Sequence, residues 1–238
     1  MTKQKNAAIL LSGGVGSRIG SDVPKQYLRI GPYRIITYTL QKLLKIPSIC
    51  TIVIAADAAW QKEILSDLET TLPPQETAQV QRIRFTLPGQ NRQLSIYHGL
   101  LELKDLLAED AAVLVHDAVR PFASEQLLSA CLQTCDHADG AMPVLPMKDT
   151  VYYSADGQQV SELLEREKIY AGQAPEAFRF GPYFRANEAL LPDRILSIHG
   201  STEPAILAGM QIRMIPGEES NFKITTPEDL SRCQSLMA

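Results

Sequence analysis

Ala7-Ala8-Ile9-Leu10-Leu11-Ser12-Gly13-Gly14-Val15-Gly16-Ser17-Arg18-Ile19-Gly20 runs from a short apolar segment straight into a glycine-rich loop. A brief apolar run bounded by Ser-Gly-Gly has the length of a buried strand rather than of a helix. It is also too short for the apolar region of a signal peptide, although Lys3 and Lys5 precede it. Gly13, Gly14 and Gly16 let backbone N–H groups approach a phosphate chain with no Cβ in the way. A strand that opens into such a loop places an anion site at the carboxyl end of a sheet.

Further apolar runs occur at Ile49–Ala56, Ile83–Leu87, Ala111–Val115 and Ala141–Leu145. Nearly continuous apolar runs are the mark of parallel strands covered on both faces. Helical spacing lies between them: Leu94, Tyr97 and Leu101 in one stretch, and Leu127, Leu128 and Cys131 in another that Ser124 can cap. This alternation predicts an α/β fold, a doubly wound and mostly parallel sheet. Its ligand is expected at the loops after Leu11, Leu87 and Val115. The alternation stops near residue 146. Val151-Tyr152-Tyr153, an Asp156-Gly157 turn and Val160–Leu164 then read as a β-hairpin. Residues 1–238 are expected to form one domain, with 147–172 as a projecting dimerisation arm. Residues 183–191 and 203–209 read as helices and Gln211–Ile215 as a strand. Thr226-Pro227-Glu228-Asp229 reads as a helix start, with a capping hydroxyl, proline at the first position and two acids at the positive end of the dipole.

Twenty-three Lys and Arg against 27 Asp and Glu give a net charge of −4, which argues against a protein built to grip a nucleic-acid backbone. No apolar run approaches the ~18–20 residues of a membrane span. Cys50, Cys131, Cys135 and Cys233 are too scattered for a disulfide framework, so a reduced, cytoplasmic protein is expected.

The glycine loop matches neither common template. No Lys-Ser or Lys-Thr closes it as in a P-loop, and Ile19 stands where a dinucleotide fingerprint needs its third glycine. Immediately downstream, Asp22-Val23-Pro24-Lys25-Gln26-Tyr27-Leu28 sets Lys25 beside Arg18 in one phosphate-binding segment. Two fixed cations there suit a reaction that builds charge at phosphorus. An NAD(P)-dependent oxidoreductase is the second enzyme class; the displaced glycine and Pro24-Lys25 argue against it. A non-catalytic nucleotide-binding module is the third; retention of Lys25 and Lys223 argues against that.

The two segments Leu11–Gly20 and Pro24–Leu28 are joined by Gly89–Ser95 (G-Q-N-R-Q-L-S), His116–Pro121 (H-D-A-V-R-P), Lys148-Asp149-Thr150 and Asn221–Leu230 (N-F-K-I-T-T-P-E-D-L). In this order they resemble the polyol-phosphate cytidylyltransferases, over nearly the whole chain. One branch of that family uses 2-C-methyl-D-erythritol 4-phosphate and another ribitol 5-phosphate. The resemblance implies a Rossmann-like nucleotidyltransferase fold and Mg²⁺-dependent transfer of CMP from CTP by a homodimer. It implies that Leu11, Ser12, Gly13, Gly14, Gly16, Gly89 and Ser95 hold CTP. Arg18 and Lys25 match the residues that stabilise charge at the triphosphate. Asp117 and Arg120 match the region where acceptor phosphate and metal meet, with Asp117 the candidate metal contact. Arg166 matches an arginine that reaches the acceptor phosphate, often across the dimer, and Lys223 a lysine that positions it. His116 is read as orienting the Asp117 loop.

Three departures fall on the acceptor side. Ala174-Pro175-Glu176 stands where the erythritol branch has Thr-Pro-Gln. Gly200-Ser201-Thr202-Glu203 replaces an acidic Asp-Asp-Ala-Ser-like segment, and Val119 replaces an alanine. Methylerythritol phosphate is the first acceptor expected, with ribitol 5-phosphate the alternative.

Overall fold

The computed structural model describes residues 5–14 and 23–237. The first half of the chain contains β1 (Asn6–Leu11), β2 (Arg29–Ile30), β3 (Tyr33–Arg34), α1 (Ile35–Leu44), β4 (Ile49–Ala55), α2 (Ala58–Thr71), β5 (Ile83–Thr86), α3 (Arg92–Leu103) and β6 (Ala112–Asp117). The second half adds α4 (Glu125–Thr134), β7 (Gly140–Pro146), β8 (Val151–Tyr153), β9 (Glu162–Leu164), β10 (Tyr170–Gly172) and β11 (Glu176–Arg179). It closes with α5 (Phe180–Glu188), α6 (Glu203–Leu207), β12 (Ile212–Pro216) and α7 (Pro227–Met237).

The main sheet is ordered β5-β4-β1-β6-β11-β7, with β10 and β12 also paired to β7. β5, β4, β1 and β6 are mutually parallel, and β12 runs parallel to β7. The expectation of a mostly parallel α/β sheet is met. β10 and β11 are the exceptions: β10 pairs antiparallel with β7, and β11 lies antiparallel between β6 and β7, where the apolar pattern predicts no strand. Along β1, side chains alternate between faces. Ala8 and Leu10 join α1, α2 and α4 in one apolar layer; Ala7 and Ile9 join α3 and α5 in the other. Helices cover both faces, so the sheet is doubly wound.

The buried face of α3 differs from the one its spacing predicts. Ile96, Leu100 and Leu103 are fully buried, whereas Leu101 is exposed. The helix approaches the sheet at Gly99, where an added Cβ would lie 2.8 Å from Ile9. That close approach fixes the rotation and turns Leu101 to solvent. For α4 the structure agrees with the sequence pattern: Ser124 Oγ accepts from Leu127 N at 3.0 Å, and Leu127, Leu128 and Cys131 are buried. The start of α7 agrees too. Thr226 Oγ1 accepts from Asp229 N at 3.2 Å, and Asp229 Oδ2 accepts from Thr226 N at 3.0 Å, the reciprocal pair of a capping box.

β8 and β9 pair only with each other, Val151 opposite Leu164. Gly157 turns the connection with φ +72°, a left-handed conformation suited to glycine. The arm is shorter than the 147–172 span expected, because Tyr170–Gly172 return to the main sheet as β10. Tyr152, Tyr153, Val160 and Leu163 stand exposed along the hairpin.

Candidate active site

β1 ends at Leu11, directly across from Asp117 at the end of β6 in the parallel register. The loops leaving these two strands therefore emerge side by side. A cavity of about 530 Å³ opens there. It is lined by Leu11, Gly13, Gly14, Lys25 and Gln26 on one side, by Gly89, Gln90, Asn91, Arg92 and Ser95 at the head of α3, and by Asp117, Val119 and Lys223.

The start of the glycine loop, Ser12 to Gly14, is fastened by the segment Gln26-Tyr27. Pro24 precedes a 3-10 turn over Lys25–Tyr27. Gln26 Nε2 donates to the carbonyls of Ser12 at 2.6 Å and Gly14 at 2.8 Å. Ser12 Oγ and the Tyr27 hydroxyl lie 2.9 Å apart, and Tyr27 stacks on Trp60 with ring centroids 4.2 Å apart. Gln26 and Tyr27 thus bind the loop from below and leave Lys25 on the cavity wall. Ser12, expected to hold nucleotide, commits its hydroxyl to Tyr27 beneath the cavity. Gly13 is required for space, because a Cβ there would run into Pro88. Gly16 and Arg18 lie outside the described residues.

The second wall is the start of α3. Asn91 Oδ1 accepts from Leu94 N at 2.8 Å, and Ser95 Oγ accepts from Gly89 N at 2.9 Å. At Gly89 a Cβ would lie 2.6 Å from the Leu94 side chain, so only glycine fits this turn. The positive end of a 12-residue helix faces the cavity, which favours an anion.

The third wall is electrostatic. Asp117 lies 3.0 Å from Lys223 Nζ, 3.3 Å from Arg92 Nη2 and 3.5 Å from Arg120 Nε. Burial alone would raise the Asp117 carboxyl; the charges of Arg92, Lys223 and Arg120 outweigh it and hold the group far below the usual carboxylate range. Lys223 comes from a distant segment, and its backbone is tied to this place. Asn221 Nδ2 donates to Ala174 O at 2.8 Å, Arg120 Nη1 donates to Asn221 O at 2.6 Å, and Ile224 N donates to Val119 O at 3.0 Å. Arg120 is consequently a buried brace rather than a cavity residue. Arg166 is not brought to the cavity: it sits on the exposed arm, with Nη1 donating to Lys148 O at 3.0 Å.

Arg92 lies within the G-Q-N-R-Q-L-S motif, yet nothing in the motif marks it out, and its role is visible only in three dimensions. Its partners Asp117 and Ser201 are 25 and 109 residues away in sequence. Glu176 and Ser201 stand out in the sequence only as departures from the family pattern, with no role attached.

His116 packs fully buried beneath Asp117, and burial pushes its imidazole down to about 4. The Asp117 charge pulls the other way and loses. The ring stays neutral in the folded chain while an unfolded chain takes up a proton near pH ~6.5. Between those values the unfolded state binds more protons, so stability falls as pH drops from 7 towards 4. Lowering the pH by about two units, from roughly 7 to roughly 5, is expected to cost about 2 kcal/mol from this group alone. Urea denaturation at both pH values, with His116→Gln flattening the difference, checks it.

The residues suit Mg²⁺ that arrives on phosphate oxygens. Asp117 is the one carboxylate lining the cavity among the described residues, and Mg²⁺ commonly takes one or two carboxylates plus substrate phosphates. Among the described residues no group of three His, Cys, Asp or Glu forms a protein-only cage.

Comparison with known proteins gives a consistent result. Residues 6–238 match the family model described as 2-C-methyl-D-erythritol 4-phosphate cytidylyltransferase. A protein of that name from Geobacter metallireducens is 34% identical over 235 residues, covering 97% of this chain and 96% of the relative. A bifunctional IspD/IspF enzyme from Maricaulis maris is 32% identical over 97% of this chain, but the chain spans only 56% of that longer protein. Among solved structures, the synthase from Anaerococcus prevotii superposes with a TM-score of 0.79 at 24% identity, covering 99% of this chain and 96% of that one. The cytidylyltransferase from Francisella tularensis gives 0.79 at 22% identity, covering 98% and 100%.

Proposed function

The chain belongs to the 2-C-methyl-D-erythritol 4-phosphate cytidylyltransferase family, and on that premise we propose that it transfers CMP from CTP to 2-C-methyl-D-erythritol 4-phosphate with release of pyrophosphate. The observation that carries this is the continuity of the cavity. It joins the glycine loop and Lys25 to Asp117, Arg92 and Lys223, so a triphosphate and a phosphate monoester can meet in one space.

The chemistry requires little proton handling. A phosphate monoester has its second pKa near ~6 and is largely dianionic at neutral pH. One of its oxygens attacks the α-phosphorus of CTP; a new P–O bond forms, the α–β bridging bond breaks, and pyrophosphate leaves with that electron pair. Two anions must be brought together, so the need is for fixed positive charge and alignment. Lys25, with Arg18, is assigned to the triphosphate side, and Lys223 and Arg92 to the acceptor side. Gly89 and Ser95 shape the nucleotide end of the cavity. Mg²⁺, where bound, screens the phosphate oxygens.

Arg166 fits this scheme through a second copy of the chain. It is displaced from its own cavity, and the hairpin before it leaves Tyr152 and Leu163 exposed by 56% and 62%. Apolar exposure of this kind on an extended hairpin suits burial against a partner, and we assign the arm to a homodimer contact. Mixing Lys25→Ala and Arg166→Ala proteins should then restore part of the lost activity in heterodimers. Absence of any restoration places Arg166 outside the partner's site. No helix among the described residues is long and apolar enough to cross a membrane; cytoplasmic action is part of the same proposal.

The direct test is pyrophosphate release with CTP and Mg²⁺ against methylerythritol 4-phosphate, ribitol 5-phosphate and glycerol 3-phosphate. The first is expected to be used best. Preference for either of the others refutes the acceptor assignment, and no release with any refutes the activity.

A further inference from the structure

The two longer departures from the family pattern meet in space. The Ser201 and Thr202 hydroxyls both donate to the Glu176 carboxylate, the latter at 2.5 Å. Ser201 Oγ also accepts from Arg92 Nη1 at 2.7 Å. Arg92 Nη2 lies 3.8 Å from Glu176 Oε2 and 3.3 Å from Asp117 Oδ1. Arg92 lines the cavity, whereas Glu176 stands behind it. The guanidinium is thus claimed from two directions: by Glu176 at its back and by any anion that enters in front.

We infer that Glu176, gripped by Ser201 and Thr202, competes with the acceptor's phosphate for Arg92 and so sets how tightly this side of the cavity holds a phosphate monoester. The inference rests on the proposed acceptor side of the reaction. Three cations, Arg92, Arg120 and Lys223, stand here against two carboxylates, Asp117 and Glu176. Neutralising Glu176 therefore doubles the local excess of positive charge, from one to two. Ser201 has the complementary part. It ties Arg92 to Glu176 through one hydroxyl, so it aims the guanidinium while Glu176 restrains it. Burial raises the Glu176 carboxyl above the ordinary glutamate range, and the Arg92 charge and the Thr202 hydroxyl offset that only in part; the counter-charge within reach is the shared arginine, 3.8 Å away.

Glu176→Gln keeps the shape and an oxygen for Ser201, and its amide can donate to Thr202. Inorganic phosphate is the probe, titrated calorimetrically with saturating CMP so that the nucleotide side is filled. Glu176→Gln is expected to bind phosphate roughly 3- to 10-fold more tightly, the scale of removing one partly screened charge. Ser201→Ala is expected to bind it about 3- to 10-fold more weakly through loss of a charge-assisted hydrogen bond, with Ser201→Thr restoring it. In steady state the acceptor KM should shift in the same directions and by more than the CTP KM. A purely structural role would move both together. Equal or weaker phosphate binding by Glu176→Gln, or tighter binding by Ser201→Ala, overturns the inference. If Glu176→Gln does not fold, Glu176→Met removes the same charge and is read in the same way. Failure of methylerythritol phosphate turnover in the unsubstituted protein counts against the proposed activity instead, and leaves the phosphate ratios readable.

Discussion

Replacing Lys25 by alanine is expected to lower kcat by about 10²–10³-fold, the usual cost of removing one preorganised group that meets charge developing in the transition state. The geometry gives the reason. Lys25 sits in a one-turn 3-10 segment whose next residue, Gln26, holds the carbonyls of Ser12 and Gly14. The ammonium therefore sits on the same turn that holds Ser12 and Gly14. The substitution leaves the contacts of Gln26 and Tyr27 in place, so the thermal unfolding midpoint should change little. A Lys25→Ala protein that turns over at near the full rate would falsify the assignment of this loop. Gln26→Ala makes a useful contrast: it leaves every charge in place but frees two loop carbonyls, so loss of CTP affinity should exceed loss of kcat.

The second large effect is expected for Asp117→Asn. One carboxylate holds Lys223, Arg92 and Arg120, and an amide of equal size cannot balance three cations. Lys223 and Arg92 should then swing apart, with turnover falling by about 10²-fold or more. Here stability is expected to fall too, by about 1–3 kcal/mol, because a buried ionic contact loses one side. The cavity limits that cost, since the Lys223 and Arg92 side chains remain 38% and 31% exposed. Measuring kcat beside urea unfolding separates the two effects. Turnover lost only in proportion to the folded fraction would reduce Asp117 to a structural role.

The parallel core is legible in the sequence because parallel strands buried on both faces are written as apolar runs, and Ala7–Leu11 or Ile49–Ala56 can hardly be read otherwise. β11 is not legible. Glu176-Ala177-Phe178-Arg179 is four residues of mixed polarity that run directly into α5, and its place between β6 and β7 is decided by pairing partners far away. The glycine-loop side of the cavity is readable for a related reason: Gly13, Gly14, Lys25 and Gln26 are near one another in the chain, so spacing carries their geometry. The opposite side, around Arg92, is assembled from five segments, which supply Arg92, Asp117 and Arg120, Glu176, Ser201 and Thr202, and Lys223. Nothing in the order of residues says that Glu176 will meet Ser201, or that Arg92 will lie between Glu176 and Asp117. Two apparent substitutions from a family pattern are in fact one contact.

The pairing of Leu11 with Asp117 bears on how such a catalyst can diversify. The glycine loop and Asp117, the anchor of the charged wall, leave the sheet at a single rung, held by backbone hydrogen bonds that mutation cannot easily edit. Sliding either strand would displace both walls of the cavity together, so that rung is closed to gradual change. The wall built from Glu176, Ser201 and Thr202 is different. It lies behind Arg92, on residues outside the cavity lining, and can be rewritten one side chain at a time. Lineages that acquire new acceptors should therefore accumulate their differences in that wall, while the rung passes unaltered from ancestor to descendant.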